Sequence, residues 1–163
     1  HELRFAVNYL APFLLGECLF RRGLPRRALV NVASAGQLPL DFDDLESARA
    51  YDGVAAYRRS KLALVMATFD WAKRHPAIAV DALHPGTFLD TRMVVEAGIT
   101  PHGPVERGVH SVVAAIERGV RHDGASGRYF DETTPARAEA QAYDVDARAT
   151  LRARSLDLVG LRD

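Results

Sequence analysis

The sequence is short of several things, and each shortage excludes something. Its 163 residues include one cysteine, Cys18, so no internal disulfide and no thiolate zinc site can form. Cys18 sits in the apolar run LLGECLF, where a single cysteine behaves as a small buried hydrophobe. A reducing, cytoplasmic compartment fits that usage. An excess of charge is also missing. Lysine plus arginine and aspartate plus glutamate each number 21. No basic or acidic field therefore points to nucleic acid, an anionic membrane or an acidic substrate. No unbroken apolar run reaches the roughly 18 residues of a membrane span. FAVNYLAPFLLGECLF comes nearest, and Asn8, Pro12 and Glu17 interrupt it. No signal peptide, internal repeat or low-complexity tract is visible. The six histidines lack metal-binding spacing such as HExxH, and no metal is expected. Asp41, Asp43 and Asp44 in DFDDL lack an ordered set of further ligands and read as a solvated turn. The first residue is His1, directly ahead of a helix-like segment, so the chain is expected to begin in the middle of a longer protein.

What is present suits one α/β domain over residues 1–163, with 48 % hydrophobic residues to build its core. Leu3, Val7, Leu10, Leu14 and Leu15 recur at helical spacing and predict a helix over 2–22, bent at Pro12. A charged turn carrying Arg21, Arg22, Arg26 and Arg27 closes it. ALVNV predicts a strand over 28–32, and a polar, acidic connection follows over 35–53. A helix is expected over 54–74, with Leu62, Val65, Met66 and Phe69 on its apolar face. A strand over 78–83 is stopped by Pro85-Gly86. A loop over 86–103, a helix over 104–120 bearing Val105, Val109, Val112, Val113 and Ile116, a short strand over 128–131 and a helix over 138–158 complete the chain. Strands separated by helices imply parallel pairing and right-handed crossovers. Three strands make a thin sheet with an open edge, which again suggests that an N-terminal half is missing.

Four features carry chemistry. Tyr57 and Lys61 in AYRRSKLALVMATF are four apart and share a helix face. An ammonium beside a phenol favours phenolate and brings the phenol toward working pH, so it can exchange a proton with a carbonyl or an alcohol. Taken alone, such a pair is ordinary on a solvated helix face. Ser34 ends the first strand, and ligands of α/β sheets bind at C-terminal strand ends. An isolated serine there would simply close a turn. Asn8 interrupts an apolar helix and needs hydrogen-bond partners if buried. Pro85-Gly86 ends the second strand in a turn that admits close backbone approach, and His84 beside it reads as structural.

In that order, Asn8 in VNYLAPF, Ser34 after LVNVAS, Tyr57-x-x-x-Lys61 and Pro85-Gly86 resemble the C-terminal half of a short-chain dehydrogenase/reductase. The DFDDL connection between Ser34 and Tyr57 is similar to one in the retinol-dehydrogenase-like branch. The resemblance runs from Phe5 to Leu161. It implies the C-terminal half of a Rossmann-like, doubly wound parallel sheet with helices on both faces. It also implies an NAD- or NADP-dependent oxidoreductase, passing hydride between nicotinamide and a hydrophobic alcohol, aldehyde or ketone. By this resemblance Tyr57 is the general acid/base, and Lys61 lowers its pKa and binds the nicotinamide ribose. Ser34 orients the substrate carbonyl, and Asn8 supports a water relay from Lys61. Pro85, Gly86 and Thr87 line the nicotinamide pocket. The family commonly carries a threonine soon after Pro-Gly; this loop offers Thr87 and Thr91, neither in the most usual register. Residues 87–104 become a substrate loop; its Phe88, Leu89, Met93 and Val94 suit a hydrophobic substrate and equally suit packing within the loop. The helices bearing Asn8 and Tyr57 imply a homodimer or homotetramer. The family's Gly-rich pyrophosphate turn is absent, and no G-x-G-x-x-G occurs. The alternative is a truncated, inactive remnant that acts through its helical dimer interface.

Overall fold

The computed structural model describes residues 1–121 and 124–162. The first helix is a composite: α1 (Leu3–Phe5), a π-helical turn (Ala6–Leu10) and α2 (Ala11–Arg21). The Glu2 carboxylate accepts from the Phe5 amide and starts it. Gly23, at φ +70°, ends it, with the Leu24 amide bonding back to the Leu19 carbonyl. Then follow β1 (Ala28–Val32), α3 (Gly53–Arg74), β2 (Ala79–His84), α4 (Arg92–Glu96), α5 (Val105–Arg121), β3 (Tyr129–Asp131), β4 (Thr134–Ala136) and α6 (Val145–Leu158). Asp52 caps α3 through the Val54 and Ala55 amides, and Asp144 caps α6 through those of Asp146 and Ala147.

The sheet runs β1-β2-β3-β4, parallel through β3, with β4 returning antiparallel. Helices lie on both faces, so the α/β, Rossmann-like architecture is present as expected. β2 is central and buried at every position. Its alternation splits the core. Val80 and Ala82 join Leu29 and Tyr129 in the larger cluster under α3, while Leu83 joins Val30, Phe130 and Ala115 under α5. Among the described residues nothing pairs with the outer edge of β1.

Several expectations need correcting. β4 was not expected: it is short, contains Pro135 and lies at the sheet edge, where proline is tolerated. Its turn places Glu132, a residue with no strong turn signal, at φ +55°. The 86–103 loop contains a short helix, α4. The last helix starts at Val145, not near 138, because Asp144 caps it after a 3₁₀ turn over Ala140–Tyr143.

Of the apolar stripe expected in the first helix, Leu10 is buried in the core and the rest is not. Phe5, Tyr9 and Phe13 face the core, whereas Leu3, Val7 and Leu15 are 72, 61 and 60 % exposed. Both stripes have helical spacing, and the aromatic one fills the larger volume against Trp71. The helix is continuous across Asn8, Pro12 and Glu17, so Leu3–Arg21 is long and apolar enough by composition to cross a membrane, with a mean hydropathy of 1.3. A core helix of a soluble protein passes the same test. The valines of α5 are likewise only half-covered; Gly108, Ser111, Ala115 and Gly119 face the sheet.

Candidate active site

The C-terminal ends of β1 and β2 bring the four sequence features to one end of the sheet. Tyr57 and Lys61 lie one turn apart on α3, with Lys61 Nζ 5.8 Å from the centre of the Tyr57 ring. The ammonium donates to the Val32 carbonyl at 3.1 Å, at the end of β1 and two residues before Ser34. Burial lowers the Lys61 pKa from its ordinary value. The α3 helix holds this position firmly: Asn31 of β1 donates to Thr68 Oγ1 at 2.8 Å, and Leu62 through Phe69 are buried.

Ser34 is buried, and its Oγ accepts from the Gly36 amide at 3.1 Å. That bond uses an oxygen lone pair and leaves the hydroxyl proton available to a substrate oxygen. The Ser34 carbonyl accepts from the Tyr129 hydroxyl and from Gln37 Nε2, both at 2.9 Å. Burial pushes the Tyr129 phenol up to about 12, so it remains a neutral donor. Gln37 in turn accepts from the Glu139 amide, which ties the segment after Ser34 to the chain's last third. Among the described residues no hydrogen bond joins the Tyr57 hydroxyl to Ser34. Such contacts are often loose before a ligand binds.

Asn8 lies in the π-helical turn and donates through Nδ2 to Ser60 Oγ at 3.1 Å. Ser60 is fully buried, and its hydroxyl donates to the Tyr57 carbonyl at 2.7 Å. The first helix is thereby tied to the backbone of the tyrosine. Pro12 has no N–H to give the carbonyl four residues back, which is that of Asn8. Asn8 lies in the irregular turn with Pro12 one turn after it, and its side chain is fixed on Ser60. π-Turns of this kind frequently mark functional positions.

Pro85, Gly86 and Thr87 follow β2. Gly86 has φ +141°, a backbone conformation that L side chains rarely adopt, so glycine is favoured there. Thr87 Oγ1 lies 3.0 Å from His84 Nε2. Burial lowers the His84 pKa, with Asp131 and Glu132 opposing it, which favours a neutral ring. In the 87–103 loop, Leu89 and Val94 are buried packing residues, while Phe88 and Met93 are exposed. Asp41 and Asp44 accept backbone amides of their own turn, as a solvated acidic turn does.

Sequence reasoning passed over Ser60 and Tyr129. The available signal for Ser60 was a small polar residue three after Tyr57, one turn along the same helix. Tyr129 carried no local signal, because its partner is 95 residues away. A groove of about 520 Å³ lies elsewhere, beside β1 and lined by Pro25–Val30 with Val112, Ile116 and Val120.

No protein-family model matches the chain. Human retinol dehydrogenase 13 is 31 % identical to it over 98 % of this chain and 54 % of that protein. Human retinol dehydrogenase 14 is 30 % identical over 98 % of this chain and 53 % of its own length. Bovine dehydrogenase/reductase SDR family member 12 is 37 % identical over 55 % of this chain and 30 % of that protein. The chain thus spans about half the length of the curated relatives it matches along its whole length. Among solved structures, the Drosophila melanogaster carbonyl reductase Sniffer has a TM-score of 0.57 at 23 % identity, covering 82 % of this chain and 55 % of that one. An uncharacterized Mycobacterium paratuberculosis protein has a TM-score of 0.58 at 22 % identity, covering 83 % of this chain and 51 % of its own. At these identities the two structures establish a shared fold.

Proposed function

The chain belongs to the short-chain dehydrogenase/reductase family, and from that premise we propose that it is the catalytic half of an NAD- or NADP-dependent oxidoreductase acting on hydrophobic alcohols, aldehydes or ketones. The observation that carries this proposal is the Tyr57–Lys61 pair, anchored by the Val32 carbonyl beside Ser34. The relatives named retinol dehydrogenases, and the exposed Phe88 and Met93, support an apolar substrate.

The residues fit the nicotinamide end of the cofactor: an ammonium and two hydroxyls at a strand end, next to a glycine turn without a Cβ. The grip on the pyrophosphate is not among them, since no Gly-rich turn occurs in the sequence. The bound cofactor would supply or accept the hydride. This chain's residues do the rest. Ser34 donates its hydroxyl proton to the substrate oxygen and orients it. Tyr57 transfers a proton to or from that oxygen, and the Lys61 charge favours its phenolate. Asn8, held in place by Ser60, supports a water relay that returns protons toward Lys61. Strands that complete the cofactor grip have a place to add, along the open edge of β1 and the groove beside it.

Titrating NADH and NADPH into the chain by calorimetry tests the proposal. Micromolar binding supports it. Trp71 is a poor reporter, since it is buried among Phe13, Phe20 and Glu17 near the C-terminal end of α3, away from Tyr57. In a turnover assay, Tyr57→Phe should lower kcat by about 10²–10⁴-fold with cofactor affinity kept; turnover at the wild-type level would refute the acid/base role.

A second reading rests on the exposed stripe Leu3, Val7, Leu14 and Leu15. It is an inactive remnant that pairs with a second copy. α3 is covered within the chain by α6 and the first helix, so this contact would use the first helix alone. A stable dimer by light scattering, abolished by Val7→Glu and accompanied by no cofactor binding, would favour it.

A further inference from the structure

We propose that Gln37 is a positioning residue for Ser34: its side-chain amide fixes the serine against the 138–141 segment, and its backbone fixes it against α3. The inference deepens the oxidoreductase assignment above and rests on it, since that assignment gives the Ser34 hydroxyl a substrate oxygen to meet.

Ser34 needs such support because the sheet ends before it. Just past β1, the Ala33 amide still bonds to the Leu83 carbonyl at 2.8 Å. From Ser34 to Leu40 the chain is neither helix nor strand, and among the described residues no backbone–backbone hydrogen bond holds it. The Gly36 amide is taken by Ser34 Oγ itself. Yet Ser34, Gln37 and Leu40 are buried, so their backbone groups need partners. Side chains supply them.

Gln37 stands at the centre of these bonds. Its Nε2 donates to the Ser34 carbonyl and its Oε1 accepts from the Glu139 amide, both at 2.9 Å. The two partners fix which way the side-chain amide faces: turned over, it would set oxygen against oxygen and N–H against N–H. The Gln37 carbonyl accepts from Arg58 Nη2 at 3.1 Å, and Arg58 directly follows Tyr57 on α3. Gln37 therefore joins the support of the serine to the helix of the tyrosine. The Tyr129 hydroxyl is the second donor to the Ser34 carbonyl. Turning that peptide plane would break two bonds between buried groups, where hydrogen bonds are stronger than in water. Gln141 mirrors the arrangement. It accepts from the Leu40 amide at 2.6 Å and donates to the Leu40 carbonyl at 3.1 Å. Two glutamines thus tie the same two segments together, and only Gln37 bonds to the residue that carries the reacting hydroxyl.

Gln37→Met and Gln141→Met decide it, read on the intact chain by melting, by residue-resolved amide exchange and by reduction of a hydrophobic aldehyde, decanal, with NADH or NADPH. Each variant keeps the length of the side chain and removes two bonds to backbone, so both should lower Tm. The Gly36 amide, which bonds to the Ser34 hydroxyl oxygen, should exchange about tenfold faster in Gln37→Met than in Gln141→Met. Gln37→Met should lower kcat about tenfold with KM for the cofactor kept, as displacement of a reacting group does. Gln141→Met should leave kcat within about twofold of wild type. Equal Gly36 exchange in the two variants would overturn the positioning role and leave the oxidoreductase assignment standing. Equal loss of kcat in the two would do the same, because it would reflect general loosening of the segment. A wild-type chain that binds neither cofactor by calorimetry would overturn the oxidoreductase assignment and this inference with it.

Discussion

The two faces of the sheet are completed to different degrees. On one face α3 is buried around its whole girth from Leu62 to Phe69, under the first helix and α6, with Phe5, Tyr9, Phe13 and Trp71 in a row of ring contacts. On the other, α5 touches the strands through small residues, and Val105, Val109, Val113, Ile116 and Val120 remain 40–54 % exposed. A helix packed through glycine and alanine lies close to its sheet but buries little side-chain area. Tyr57 and Lys61 belong to the completed face, which is why their geometry is well supported within this chain. The less covered face adjoins β1, the strand at the edge of the sheet.

The sharpest way to break this contrast is at the polar centre of the completed face. Glu17 is buried, takes Arg152 Nη2 at 3.0 Å and accepts from Trp71 Nε1 at 2.7 Å. Glu17→Ala leaves the Arg152 charge buried without that partner and should cost about 3–5 kcal/mol in urea unfolding. Burial alone would raise the Glu17 carboxyl; the Arg152 and Trp71 bonds and the Arg152 charge outweigh it and hold the pKa below its usual value of 4.5. A carboxylate lowered in the folded state adds stability that is present above pH 4.5 and is lost as pH falls through its folded pKa. Melting temperatures from pH 6 downward should therefore decline below about pH 4.5, and Glu17→Gln should flatten that decline.

Glycine substitutions come next. A Cβ at Gly16 would lie 2.6 Å from the Trp71 ring, a rigid group held on both sides. Gly16→Ala should cost about 1–3 kcal/mol. At Gly108 the Cβ would meet the tip of Leu89 at 2.5 Å, a side chain able to turn aside. Gly108→Ala should cost clearly less in the same urea titration, despite the shorter contact. The smallest effect belongs to the incomplete face: Val113→Ser should change stability by no more than about 0.5 kcal/mol. A loss comparable with that of Gly16→Ala would show that something covers α5 in solution.

Much of this was legible from the chain alone. β1 has the predicted bounds, and α3 and α5 begin and end within a residue of theirs, because their periodicity and caps are local. Tyr57 and Lys61 were placed on one face by helical spacing. Other elements were hidden for physical reasons. β4 is held by its pairing with β3, against its own composition. The first helix carries two stripes of suitable spacing, and nothing within it says whether the leucines or the aromatics turn inward. In the sequence Leu89 and Val94 suit substrate contact and loop packing equally, and burial, which depends on the rest of the chain, makes them packing residues.

The sequence by itself determined the order of helices and strands, the tyrosine–lysine spacing, and the absence of a Gly-rich phosphate turn. These depend on neighbours a few residues apart. Tertiary structure alone decided that Phe5, Tyr9 and Phe13 form the core stripe. It also decided that Asn8 is tied through Ser60 to the tyrosine's backbone and that Tyr129 secures Ser34. The physical reason is chiefly one of range: Asn8 and Ser60 are 52 residues apart, Ser34 and Tyr129 are 95 apart, and burial depends on what the rest of the chain brings to a surface.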